Sequence, residues 1–137
     1  MNRKEFQNIA DERLADAQAL LRARRYSGAY YFAGYAIECA LKACIARQTK
    51  AEEFPPKDTN KSHYTHDLAT LIATAGLAAD LRTEENRNSR FRDNWALVRN
   101  WKAEARYQGR KRAETAQFLA AITDRSNGIL QWLKTYW

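Results

Sequence analysis

Glycine and proline are scarce, 5 and 2 in 137 residues. That is too little punctuation for the many turns of a β-sandwich or barrel. Cysteine is as scarce as proline: Cys39 and Cys44 are the only two. Five positions on a helix correspond to about 140° of rotation, so these two can neither bond to each other within one chain nor share a metal. With no signal-peptide pattern ahead of them, they read as small core residues of a cytoplasmic protein. No apolar run is long and charge-free enough to span a bilayer, and the nearest, 29–46, carries Glu38 and Lys42. There is no Gly-rich phosphate loop, no zinc-type cysteine spacing, no internal repeat and no low-complexity tract. Histidine occurs twice, at His63 and His66 beside Asp67. Those residues fall short of a metal site unless another ligand joins them, so no metal and no cofactor is expected.

What remains is rich in Ala, Leu, Arg, Glu and Gln, which are helix formers. Hydrophobic residues are 45% and charged residues 28% of the chain, ordinary for a folded globular protein. The length fits one domain, 1–137. The expected fold is all-α, an antiparallel up-and-down bundle of four to five helices.

The first helix is predicted over about 4–24, capped by Asn2 with Glu5 completing a capping box. Phe6, Ile9, Leu14, Ala17, Leu20 and Leu21 form its apolar stripe. Tyr26, Ser27 and Gly28 read as a turn, with Ser27 capping a second helix over about 29–48. That helix is apolar nearly all round and belongs at the bundle centre. Its Tyr30, Tyr31, Phe32 and Tyr35 fill space between neighbours or at an interface between copies. A polar loop with Pro55 and Pro56 follows over 49–65, then a short helix over 67–75 capped by Thr65 and stopped by Gly76. The stretch 77–101 reads as one helix with an exposed middle, or else as two pieces around a polar loop at 84–89. Residues 103–109 connect to a last helix over 111–136, kinked at most at Asn127-Gly128.

The formal net charge is +7, and one segment holds all of it. Between Asn86 and Arg112 lie Arg87, Arg90, Arg92, Arg99, Lys102, Arg106, Arg110, Lys111 and Arg112, opposed only by Asp93 and Glu104. Clustered guanidinium groups suit phosphate, which they bind through paired hydrogen bonds; a solvated helix face is the plainer alternative. Trp95, Val98 and Trp101 keep core spacing within this segment, while Tyr107 and its neighbouring bases stay available for stacking and phosphate contact. On the second helix, Glu38 and Lys42 are spaced for a structural ion pair, which an arginine from another helix could join. A buried carboxylate needs such a partner.

The run from Ala29 to Ala43, Ala-Tyr-Tyr-Phe-Ala-Gly-Tyr-Ala-Ile-Glu-Cys-Ala-Leu-Lys-Ala, resembles the HEPN domain. So do His66-Asp-Leu and Trp101-Lys-Ala-Glu-Ala-Arg-Tyr107. The likeness extends over almost the whole chain. It implies a helical bundle that forms a homodimer. It also implies one of three activities: a metal-independent ribonuclease toxin, a binder of RNA or nucleotides, or a partner of a minimal nucleotidyltransferase in a toxin–antitoxin pair. The family's ribonucleases use an Arg and a polar residue followed, four to six residues on, by a His. Arg99 and Asn100 match the start of that motif; Glu104, Ala105 and Arg106 stand where the His belongs. The leading expectation is therefore a degenerate, non-catalytic domain. It would bind RNA or a nucleotide through Arg99, Lys102, Arg106, Tyr107, Arg110, Lys111 and Arg112. The alternative chemistry uses Arg99, Asn100 and a Glu104 base, with Arg106 stabilising the phosphorane.

Overall fold

The computed structural model describes residues 1–49, 52–55 and 64–137. Of the loop expected over 49–65, Pro56 and His63 lie outside the described residues. Among those described there are seven α-helices, one 3-10 turn and no sheet. The helices are α1 (Arg3–Arg22), α2 (Tyr26–Arg47), α3 (Leu68–Thr74), α4 (Ala78–Arg87), α5 (Ser89–Val98), α6 (Arg112–Thr123) and α7 (Ile129–Lys134); the 3-10 turn is Ala103–Tyr107. The all-α bundle stands as expected. Its helix count is higher because two predicted helices are each broken in two.

The Asn2 side chain accepts from the Glu5 N–H, and the Glu5 carboxylate accepts from the Asn2 N–H, so the capping box that opens α1 is complete. The turn to α2 comes earlier than the sequence suggests. Arg24 takes the left-handed backbone conformation, φ 62°, and Tyr26, Ser27 and Gly28 already belong to α2. Ser27 does not cap that helix; its hydroxyl instead accepts the Arg110 N–H at 3.0 Å. Asp67, not Thr65, caps α3 by accepting the Thr70 N–H, while Thr65 Oγ1 accepts the Asp67 N–H. Gly76 stops α3 with φ 72°, as a left-handed C′ glycine does.

The stretch 77–101 is neither one helix nor two pieces around a loop at 84–89. It bends at a single residue, Asn88, whose extended backbone ends α4 and whose side chain caps α5 through the Phe91 N–H. The final helix stops at Thr123, where Asp124 turns the chain by accepting the Ser126 and Asn127 N–H groups. Helix α7 then restarts at Ile129. Both breaks preserve the apolar spacing, which is why periodicity alone runs straight through them.

Helices α1 and α2 form the most extensive pairing, an antiparallel hairpin. Helix α2 also touches α3, α6, α7 and the 3-10 turn. Its buried Ala29, Ala33, Ala36, Ala40 and Ala43 let those elements approach closely. The closest approach is at Gly34, where a Cβ would run into the indole of fully buried Trp101. Tyr31, Phe32 and Tyr35 are only partly buried against this core. The two chain ends meet: an Arg3 Nη2 donates to the Trp137 carbonyl at 3.0 Å, and Lys134 pairs with Asp11 at 3.0 Å.

Candidate phosphate and nucleic-acid site

Trp101 sets the site's position. Its indole is wedged against Gly34 and lies 6.0 Å from the Tyr31 ring, which fixes the chain where α5 ends. Beyond it, buried Ala103 and Ala105 alternate with exposed Lys102, Glu104 and Arg106. The small residues dock the turn on α2, and the charged ones are left facing solvent. Opposite them runs the segment leading into α3, steadied by the Tyr64 ring against Phe54 at 5.2 Å. The two segments border an open cleft of about 340 Å³ lined by Thr65, His66, Asp67, Lys102, Ala103 and Glu104.

Beneath one wall lies Glu38, 2% exposed. Lys42 Nζ donates to its Oε1 at 2.9 Å, so the expected ion pair is present. The additional partner is a histidine rather than an arginine. His66 Nδ1 lies 2.9 Å from Oε1 and 3.1 Å from Oε2 of Glu38. An ionised carboxylate can only accept, so Nδ1 carries the hydrogen and donates. That leaves Nε2 as the outward nitrogen of a side chain that is 56% exposed. Sequence order hid this residue, because His66 lies far upstream of Arg99 and the expected motif places its histidine downstream. The Asp67 neighbour and the α2 carboxylate were the available signals.

Asp67 accepts the Thr70 hydroxyl at 2.6 Å and the Thr70 N–H at 2.9 Å, and these bonds hold its carboxyl below the usual aspartate range. Lys102 and Arg99 push it in the same direction, which places both cations within electrostatic reach of the cleft. Asn100 is exposed just beyond α5, where its side-chain amide donates to the Ala96 carbonyl at 3.1 Å.

The remaining bases diverge from the cleft. The Arg106 guanidinium sits 4.8 Å from the Tyr107 ring centre. Hydrogen bonding to Tyr107 and then to Tyr31 raises its already high pKa. Tyr107 is 77% exposed. In a 3-10 turn, side chains three apart eclipse, so Tyr107 shares a face with Glu104 of the cleft. Gly109 follows in open space. Arg110 is held by the fold: its guanidinium lies 4.0 Å from the Tyr30 ring centre, Nη2 donates to Gln108 at 2.6 Å, and Glu114 is 3.8 Å away. Lys111 and Arg112 are exposed at the start of α6, where the Glu114 carboxylate accepts the Lys111 N–H. Among the described residues, no three His, Cys, Asp or Glu side chains gather as a metal would need, and no helix is long and apolar enough to cross a membrane.

These features define an all-helical bundle with an open, cation-rimmed cleft. The HEPN domain model matches residues 4–136, nearly the whole chain, and the chain belongs to that family. With the family comes a nucleotide- or RNA-related role in general terms. Comparison with curated proteins and with solved structures finds no match.

Proposed function

We propose that this HEPN-family protein binds a phosphate-bearing ligand, RNA or a nucleotide, in the cleft between the segment leading into α3 and the 102–107 turn. Arg99 and Lys102 are the phosphate contacts, with Arg106 and Tyr107 extending the surface along the same turn. What supports the reading is an open cleft lined by Lys102 together with Thr65, His66 and Asp67, and the pull that Lys102 and, more weakly, Arg99 exert on the Asp67 carboxylate. Arg110 contributes mainly to the fold, and Lys111 with Arg112 lend longer-range attraction. The protein acts as a homodimer in the cytoplasm, paired through the half-buried aromatic side of α2.

The test is retention of total RNA by the purified protein, together with thermal shifts by single nucleotides. Three single-strand phosphate contacts give a log–log salt slope of magnitude about 2. Lys102→Ala should reduce that slope by a little under one unit. If neither RNA nor any nucleotide binds, the proposal fails. The reading as a protein-interaction module, with a nucleotidyltransferase-type partner, then takes its place.

A further inference from the structure

His66 sits in the cleft wall with one ring nitrogen already committed. Nδ1 meets both carboxylate oxygens of buried Glu38, and Lys42 donates to the same carboxylate. A carboxylate so paired only accepts, so Nδ1 carries a hydrogen whether the ring is neutral or charged. The neutral tautomer with its hydrogen on Nε2 is thereby excluded. A neutral His66 then has only a lone pair at Nε2, which a phosphate oxygen, itself an acceptor, cannot meet. The imidazolium has an N–H there and donates. The charges around the ring favour the same state for an anion. Among the described residues lining the cleft, Asp67 and Glu104 are anionic, and Lys102 is the one cation that is always charged. Behind the ring, Glu38 and Lys42 offset each other on α2. Tyr35 and Cys39 also feel Glu38, and burial keeps both protonated and neutral. Arg99, at the end of α5, reaches Asp67 electrostatically. A proton on His66 removes the anionic excess of the lining, where a phosphate would enter.

We infer that His66, held by Glu38, is a phosphate contact that works only as an imidazolium, so the cleft takes up a proton together with its anionic ligand. The inference rests on the proposed binding of RNA or a nucleotide in this cleft, and it gives that binding a direction: affinity rises as pH falls. Imidazole is the side chain that ordinarily changes charge between about pH 5 and 8, so the effect falls within the physiological range. Glu38 acts through His66 and is a positioning residue. It fixes which nitrogen faces the ligand, and its negative charge favours the protonated ring.

The experiment measures the Kd for an oligouridylate at constant ionic strength between about pH 5 and 8. The probe's bases and phosphodiesters keep their charge over that range, so a change in affinity belongs to the protein. The wild type is expected to bind about tenfold more tightly at the acid end. His66→Gln should stay at the weaker, alkaline level throughout. His66→Arg, always charged, should also lose the rise, while binding more tightly than His66→Gln. Glu38→Gln, shown to be folded by circular dichroism, should need a pH about one unit lower for the same gain. His63 is the sequence's other histidine, and His63→Gln should keep the rise. Wild-type affinity that does not change with pH overturns the inference and leaves the binding proposal intact. So does a rise that survives His66→Gln, or one that His63→Gln abolishes. Protein that binds the probe, total RNA and nucleotides at no pH overturns both.

Discussion

The basic segment has two halves that differ in kind, although nothing in their composition separates them. Lys102 and Arg106 are exposed around the turn whose Ala103 and Ala105 are buried, and Arg99 is exposed where α5 ends. At Arg110 the cation is half-buried over a tyrosine ring, and its backbone N–H is tied to Ser27. The first half is displayed by the fold, whereas the second half begins with a residue that builds it. A count of positive charge treats them alike. Only the partners of each side chain show which cations remain free to meet a ligand.

Four measurements break or sharpen that contrast. The largest effect is expected at Glu38, beneath the displayed half. Glu38→Ala removes the partner of Lys42 and His66 and leaves a half-buried ammonium uncompensated. Urea unfolding should register a loss of about 3 kcal/mol. A loss below about 0.5 kcal/mol would mean that the carboxylate lies at the surface. Next comes Lys102→Ala, which should weaken RNA or nucleotide binding about tenfold, near 1.4 kcal/mol, with stability unchanged within about 0.5 kcal/mol. Equal affinity would place the ligand elsewhere.

Arg110→Ala is the reverse experiment. Loss of its stacking and packing on Tyr30 should cost about 1 kcal/mol of stability, with affinity held within about twofold. A large affinity loss with no change in stability would erase the distinction between the halves. The smallest effect belongs to Asp67→Asn. Asparagine still caps α3, but the negative charge beside Lys102 and Arg99 is gone, so binding should tighten about twofold. The same substitution has a sign in acid. The folded-state pKa of Asp67 lies below its unfolded value, so its contribution is present above the unfolded pKa and lost as pH falls through the folded one. Acid titrations of wild type and variant should therefore diverge at neutral pH and converge at the lowest pH.

Much of the fold was legible because its signals are local. Asn2 with Glu5, the all-apolar face of α2 and Gly76 each announce their structure within a few residues. The breaks at Asn88 and Asp124 were not, since each helix resumes in phase with the last and apolar spacing survives the interruption. The dipeptide Asn127-Gly128 was the fair warning, outweighed by the continuing leucines. In the candidate site, Arg99 and Lys102 could be found from charge clustering. His66 could not be joined to them by spacing, because the contact runs through α2: Glu38 holds the imidazole, and Gly34 a turn away seats Trp101, which places Lys102. Burial of the thiols, by contrast, was read from the sequence and stands. It pushes both Cys39 and Cys44 up to about 12, as core residues, with no trace of reactivity.

The meeting of α1 with the end of α7 bears on how the chain could be rewired. Because Arg3 reaches the Trp137 carbonyl, a few added residues suffice to join the two ends covalently. Gly109, exposed and with open space where a Cβ would stand, offers the matching place to open new ones. Such a permuted gene would begin at Arg110 and finish near Tyr107, putting the displayed cations and the structural one at opposite ends of the polypeptide. Each could then be trimmed residue by residue without an internal deletion, and the order of synthesis would be exchanged while the packed arrangement stayed the same.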